Sequence, residues 1–186
     1  MFPIKVIELP ELVHGVDGKT VARYLDLLVD LLLVRRLQPY YVNVGKRLIK
    51  SPKIYLRDSG IVHSLLRLGD RELVLGHPVA GGSWEGFVIE NLLNVSQDRV
   101  TGYFYRTSAG AEIDLVLEMP GGELWAVEIK RGLRPTIDKG FYIAKADIKP
   151  ERSFVVYSGE EQYAKKDDVE VIGLNNLVSL ISAATN

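Results

Sequence analysis

Two carboxylates and one lysine are the side chains of this sequence whose spacing best suits chemistry. Asp114 lies in one run of alternating apolar residues, and Glu128 and Lys130 lie in a second run that follows the break Pro120-Gly121-Gly122. Two such runs around a Pro-Gly break predict a β-hairpin. If the turn is centred on Gly121, residues whose numbers sum to 242 face each other, so Asp114 is opposite Glu128. Like charges facing each other on a hairpin are destabilising, which favours a role as ligands for a hard cation such as Mg²⁺.

Lys130 is predicted to project from the same face, where its ammonium group can orient a water or balance charge on a phosphate. Glu112 and Glu118 add two more acids to that face. The same residue types also fit a hairpin with one solvated face, and a one-residue bulge would shift the register. Because side chains alternate along a strand, the opposite face is predicted to be apolar. That face carries Ile113, Leu115, Leu117, Trp125, Val127 and Ile129.

Glu90 is a further candidate because it lies in the middle of an apolar helix. Ser83 is predicted to cap a helix over residues 84–95, whose apolar residues occur almost all round and predict burial. A buried carboxylate requires a partner, a proton or a metal. The alternative is a glutamate that reaches the solvent edge of the helix.

The composition is that of a globular protein. The chain has 186 residues, of which 47% are hydrophobic and 25% charged, too apolar for disorder. The absence of cysteine excludes disulfides and thiolate metal sites, and fits a cytoplasmic location. The apolar run over residues 27–34 is interrupted by Asp30 and is too short to cross a membrane. No signal-peptide pattern is present.

The net charge of −1 conceals a basic arm over residues 35–57. The arm has no acid and its bases are interleaved with Tyr40, Tyr41 and Tyr55, a pattern that suits contact with a phosphate backbone. The other interpretation is a solvated face that balances the acidic remainder of the chain. The bases of the arm are Arg35, Arg36, Lys46, Arg47, Lys50, Lys53 and Arg57.

The order of predicted elements divides the chain. Residues 1–68 contain a helix over residues 20–34, capped by Asp17 or Thr20, and then strand, turn and strand, which resembles part of a winged helix. Residues 69–82 are predicted to be a linker. Residues 83–186 predict the order α-β-β-β-α-β-β-α, so the fold class is α/β.

The helix with Glu90 and the hairpin with Asp114 and Glu128-Ile129-Lys130 resemble the restriction-endonuclease-like superfamily. That resemblance covers residues 83–158 and implies a PD-(D/E)xK nuclease fold with an αβββαβ core and a mixed sheet. It implies that Asp114 and Glu128 hold Mg²⁺ or Mn²⁺, with the Ile129 carbonyl as a further ligand and Glu90 in direct or water-mediated contact. It also implies a catalytic role for Lys130 and a grip on the DNA backbone by Arg106 and the basic arm.

A second resemblance covers nearly the whole chain. It is carried by Lys19-Thr-Val-Ala-Arg-Tyr-Leu-Asp-Leu-Leu28, Lys50-Ser-Pro-Lys-Ile-Tyr55, Gly76-His-Pro78, Ser83-Trp-Glu-Gly-Phe87 and Tyr105-Arg-Thr107. These motifs are similar to the carboxy-terminal half of a prokaryotic family of AAA-type ATPases, where a domain of unknown function follows a winged-helix linker. The chain lacks the ATPase module, so motor function is not implied.

Three functions are therefore expected in turn. The first is a Mg²⁺-dependent nuclease-like domain that cleaves DNA phosphodiester bonds and is normally appended to an ATPase. The second is a non-catalytic module that binds nucleic acid or a partner for an ATPase. The third is a protein-interaction domain without a nucleic-acid role. The expected partners are DNA and an ATPase module, with no membrane, and an oligomer is compatible with the sequence.

Overall fold

The structure is a computed structural model that describes residues 17–185. The predictions for residues 1–16 lie outside the described residues. Within the described range the chain forms two compact units. The first unit comprises residues 17–38 and 50–87, and the second comprises residues 39–49 and 88–185. The predicted linker at residues 69–82 and the domain limits on either side of it stay predictions.

The first unit contains short helices and a two-stranded ribbon, in which β1 and β2 pair antiparallel. Asp17, Asp58 and Asp70 each cap a helix by accepting hydrogen bonds from backbone N–H groups of its first turn. The predicted cap at Asp17 is therefore confirmed. The elements are α1 Gly18–Asp30, β1 Val34–Pro39, β2 Lys53–Leu56, α2 Ser59–Leu65, α3 Arg71–Gly76 and α4 Val79–Val95.

Helix α4 begins at Val79, earlier than the start predicted from Ser83. The Ser83 hydroxyl lies inside the helix and hydrogen-bonds the His63 ring at 2.8 Å instead of capping the helix. The capping prediction was wrong because the two glycines before Ser83 are tolerated in this helix, at a propensity cost of only about 1 kcal/mol each.

The second unit is built on a mixed sheet. In the order β3-β4-β5-β6-β8-β7, the strands β5, β6 and β8 run parallel, and the other neighbouring pairs are antiparallel. The predicted α/β class, the mixed sheet and the αβββαβ order are confirmed; the sequence missed the three-residue strand β7. The elements after α4 are β3 Thr101–Arg106, β4 Glu112–Glu118, β5 Leu124–Ile129, α5 Lys139–Ile148, β6 Arg152–Tyr157, β7 Tyr163–Lys165, β8 Val169–Gly173 and α6 Leu174–Thr185. None of the helices within residues 17–185 has the length and apolarity that a membrane span requires.

The core of the second unit includes a cluster between α5 and the sheet. Phe141, Ala144 and Ile148 of α5 pack with residues of the sheet that include Val116 and Ala126. At the start of α5 the backbone approach is close, since a Cβ added to Gly140 would lie 2.7 Å from the Gly110 carbonyl oxygen. This packing fixes α5 against the start of the hairpin.

The hairpin of β4 and β5 has the predicted register. Leu115 pairs with Val127 and Glu118 pairs with Leu124, both summing to 242. The turn is closed by the Gly122 N–H, which donates to the Met119 carbonyl at 2.8 Å, and Gly122 has a φ of +83°, which favours glycine.

A β-bulge interrupts the pairing of β3 with β4. Tyr103 pairs with Val116 but Tyr105 pairs with Ile113, so Asp114 and Leu115 together oppose one residue of β3. The bulge moves Ile113 onto the face of Val116, and both belong to the cluster under α5. The prediction that Ile113 shares a face with Leu115 and Leu117 was therefore wrong, because one extra residue inverts the alternation.

Candidate functional site

The bulge places Asp114 at the point where β4 and β5 end their pairing. The last ladder pair is Leu115–Val127, and one residue further on the Asp114 Oδ2 accepts a hydrogen bond from the Ile129 N–H at 2.9 Å. The Ile129 N–H lies between Glu128 and Lys130 in the sequence. The structure therefore brings the Asp114 carboxylate to the backbone of the Glu-Ile-Lys segment, as the hairpin prediction required.

Glu128 and Lys130 form an ion pair beside this carboxylate. The Lys130 Nζ lies 2.9 Å from the Glu128 Oε1, and 2.8 Å from the Oδ2 of Asp138, which lies immediately before α5. The Lys130 N–H also donates to the Val156 carbonyl at 2.9 Å, which extends the edge of β5 along β6. The lysine side chain is thus held between two carboxylates.

Burial dominates the protonation of Glu128. Its side chain is 6% exposed, and the cost of desolvating the charge raises the pKa of Glu128, although attraction to Lys130 opposes that shift. The negative charges of Glu112 and Asp138 raise it further.

Lys130 shows the opposite balance. Burial favours its neutral form, but the hydrogen bond from its ammonium group to Asp138 and the interaction with Glu128 outweigh burial and raise the pKa of Lys130. The ammonium group is therefore charged at neutral pH, which suits a role in balancing negative charge.

Glu90 is buried, at 8% exposure, as the sequence predicts. Within residues 17–185, however, no group of three or more His, Asp or Glu side chains is arranged to hold a metal ion. The structure brings Asp114 to the segment of Glu128 and Lys130, and it does not bring Glu90 into one ligand set with them. A role for Glu90 through an intervening water stays a prediction.

The donor chemistry of the site suits magnesium. Mg²⁺ prefers oxygen ligands, keeps several waters and takes one or two carboxylates together with substrate phosphates. Asp114 and Glu128 supply that number of carboxylates on neighbouring strands. The residues that would hold the ion are therefore present, with Lys130 as their neighbour of opposite charge.

Several of the predicted nucleic-acid contacts are engaged within the protein. The Lys53 side chain is 5% exposed and its ammonium group lies 3.0 Å from Glu85 Oε1, which also accepts a hydrogen bond from the Tyr55 hydroxyl. Lys46 binds the Asp147 carboxylate at 2.5 Å. Arg36 lies 2.5 Å from Asp26, and Arg106 lies 3.3 Å from Glu112. Arg35 is half-buried, whereas Arg47 and Lys50 are exposed.

Asp138 is a residue of this site that the sequence did not reveal. It occupies the N-cap position of α5 with an extended backbone, yet its side chain makes no capping hydrogen bond and binds Lys130 instead. The available signal was an acid eight positions after Lys130 at the start of a helix, which by itself predicts only a cap.

A family model described as "Domain of unknown function (DUF4143)" matches residues 80–177, more than half of the chain. The chain belongs to the DUF4143 family. This is a domain that is found with AAA ATPases, which agrees in part with the resemblance to the carboxy-terminal half of such proteins. A second model, described as "Domain of unknown function (DUF8612)", matches residues 5–72 of this DUF4143 protein.

Two similar relatives come from mycobacteria. The proteins named "Uncharacterized protein Rv2008c" of Mycobacterium tuberculosis and "Uncharacterized protein Mb2031c" of Mycobacterium bovis are each 39% identical over 171 residues. The match covers 91% of this chain and 38% of each relative. The DUF4143 chain therefore spans less than two fifths of the length of these relatives.

Two solved structures are distantly similar. One is a half-complex of Thermococcus gammatolerans McrB AAA+ hexamers with bound McrC, with a TM-score of 0.38 and 12% identity, covering 50% of this chain and 27% of that one. The other is protein VC1899 from Vibrio cholerae, with a TM-score of 0.36 and 14% identity, covering 92% of this chain and 43% of that one. Similarity at these TM-scores carries no functional argument.

Proposed function

We propose that the second unit of this DUF4143 protein is a Mg²⁺- or Mn²⁺-dependent nuclease-like domain that cleaves phosphodiester bonds in DNA. One observation carries the proposal. The bulge at Asp114 and the hydrogen bond from Asp114 to the Ile129 N–H set one carboxylate against the segment that contributes Glu128 and Lys130. An acid and a Glu-x-Lys segment meeting where two strands separate is a combination that suits phosphoryl chemistry.

The bound cation would lower the pKa of a coordinated water and polarise a phosphate oxygen. Asp114 and Glu128 would hold it, and the hydrogen bond from Ile129 would keep the Asp114 carboxylate oriented. Glu90 would act through a water and the Ile129 carbonyl as an additional oxygen donor. Lys130, charged at neutral pH, would orient the attacking water or balance the charge that develops on the phosphate.

Two further roles belong to this proposal. Exposed Arg47 and Lys50 supply phosphate contacts from the basic arm, whereas Arg35, Arg36, Lys46, Lys53 and Arg106 contribute through their positions in the fold. In longer relatives the domain acts alongside an ATPase module, consistent with the occurrence of DUF4143 with AAA ATPases.

Plasmid nicking with a metal titration tests the chemistry. The wild-type chain should convert supercoiled plasmid to the nicked form with Mg²⁺ or Mn²⁺, and EDTA should stop it. Lys130→Ala should lower the rate at least about a hundredfold, the typical effect of losing a group that stabilises transition-state charge. Lys139→Ala is the matched control, because Lys139 is exposed and starts the next helix. Equal activity in both variants would exclude a role for Lys130.

A specific observation also favours the second function, a non-catalytic module. Lys130 is paired with both Glu128 and Asp138, so an ammonium group already neutralises the carboxylate that would bind a cation. In this alternative the ion pairs hold the end of β5 and the domain docks DNA or a partner for an ATPase. Tight binding of DNA without metal-dependent cleavage would support this alternative over the nuclease.

A further inference from the structure

The segment that follows Lys130 carries two exposed arginines beside the candidate site. Arg131, Gly132, Leu133 and Arg134, hereafter the RGLR loop, are all exposed, and Leu133 retains 70% of its accessible surface. Arg131 is the next residue after Lys130 in the chain. Within the loop there is no acid.

The RGLR loop is fastened at both ends. The Ser158 hydroxyl donates to the Arg131 carbonyl at 2.6 Å, and the Lys165 ammonium group donates to the Pro135 carbonyl at 2.6 Å. Pro135 itself is buried. Two side-chain hydrogen bonds to carbonyls thus hold the ends of the loop while its tip stays in solvent, so that binding a ligand at the tip would cost little ordering entropy.

The basic arm offers less free charge than its sequence suggests. Ion pairs to Asp26, Asp147 and Glu85 engage three of its bases, and Lys53 is buried. Phosphate contact releases counterions only where the cation is accessible to the phosphate. The exposed arginines nearest in sequence to the candidate site are therefore those of the RGLR loop.

We propose that the RGLR loop is a nucleic-acid contact in which Arg131 and Arg134 bind backbone phosphates of the strand at the candidate site. Guanidinium groups bind phosphate oxygens in a bidentate fork, which suits them to this role better than lysines. Leu133, between the two arginines, packs its apolar side chain on the sugars. This inference deepens the proposed function and rests on it only for the position of the scissile phosphate.

Fluorescence anisotropy with a labelled DNA duplex tests the loop, in Ca²⁺ so that the DNA stays intact, with NaCl from about 50 to about 200 mM. Arg131→Ala/Arg134→Ala should weaken binding about tenfold or more and reduce the salt slope by roughly 0.9 for each lost phosphate contact. Leu133→Ala should weaken binding without changing the slope. Arg71→Ala/Lys166→Ala removes the same charge at two exposed positions elsewhere and should leave the slope near that of wild type.

The outcomes separate this inference from the nuclease proposal. Loss of affinity in the loop variant supports the inference even if wild type never cleaves DNA. An unchanged affinity and slope in the loop variant overturns it, even if wild type nicks plasmid. The inference is also overturned if wild type does not bind duplex or single-stranded DNA, or if the distant double variant loses as much affinity as the loop variant.

Discussion

The Asp114 carboxylate and the Ile129 backbone N–H are joined by a 2.9 Å hydrogen bond, one residue beyond the last ladder pair of β4 and β5. A side chain therefore replaces the backbone partner that Ile129 would otherwise find on β4. The β-bulge on β4 makes this possible, because it places an extra residue at the end of the pairing. The relationship fixes one carboxylate of the site relative to the strand that bears the other.

Replacing Asp114 tests the structural side of that hydrogen bond. Asp114→Ala leaves the partly buried Ile129 N–H without this acceptor and should cost about 1–3 kcal/mol of unfolding free energy. Asp114→Asn keeps a side-chain oxygen that can accept, so its loss should be smaller. Urea unfolding of both variants measures the difference. Equal loss in the two variants would mean that the hydrogen bond contributes nothing to stability.

The protonation of Glu128 gives a pH dependence of defined sign. Burial raises the pKa of Glu128 above its usual value of 4.5, so the folded chain binds this proton more tightly than the unfolded chain. Stability from this group is therefore present below the unfolded value and falls as the pH rises through the folded value.

The variant E128Q removes that titration. The unfolding free energy of wild type minus that of E128Q should decrease with rising pH above about pH 4.5 and then level off. Urea unfolding in a pH series measures it. A difference that increases with pH would mean that attraction to Lys130 outweighs burial at Glu128.

Asp138 exchanges a helix cap for an ion pair with Lys130. Asp138→Ser should form the missing cap, worth about 0.5–2 kcal/mol, and lose a partly exposed ion pair worth about 0–1 kcal/mol. The variant should therefore be as stable as wild type or slightly more stable, while the pKa of Lys130 falls. Chemical denaturation gives the stability and NMR titration of the Lys130 side chain gives the pKa.

Asp70 provides the comparison for that exchange. Its carboxylate already caps α3 by accepting from the Leu73 N–H at 2.8 Å, so Asp70→Ser should change stability little and leave Lys130 unaffected. If Asp138→Ser leaves the pKa of Lys130 at its wild-type value, Asp138 does not influence that lysine.

The approach of α5 to the start of β4 depends on the small size of Gly140. A Cβ at this position would lie 2.7 Å from the Gly110 carbonyl oxygen, a backbone atom that cannot rotate away. Gly140→Ala should therefore destabilise the second unit by about 1–3 kcal/mol. Gly132→Ala is the control, because its Cβ would meet no atom within 4 Å. Thermal unfolding of the two variants should separate them; similar melting temperatures would show that α5 can move without cost.

The sequence predicted the hairpin register and the α/β order because local signals determine both. The Pro-Gly-Gly turn centres the register on Gly121, and the apolar periods separate strands from helices. The burial of Glu90 followed from the apolar surroundings of its helix. These features depend on residues near one another in the chain.

The features that the sequence missed depend on tertiary contacts. The bulge at Asp114 reflects a mismatch between β3 and β4 that no local pattern encodes. The ion pair of Lys53 with Glu85 joins residues far apart in the sequence, so a count of bases overstated the free charge of the arm. In α1, Tyr24 and Leu32 were predicted to be buried but are 64% and 66% exposed, because an apolar stripe does not show what covers it.

Titration of the chain with Mn²⁺, followed by calorimetry and by the electron paramagnetic resonance of the free ion, tests the central claim most directly. That claim is that Asp114 and Glu128 together hold a divalent cation. One site is expected in wild type and in the control Glu123→Gln, whose acid is exposed in the hairpin turn. Binding should be lost in both Asp114→Asn and E128Q. Undiminished binding in these two variants, or no binding by wild type with and without DNA, would contradict the claim.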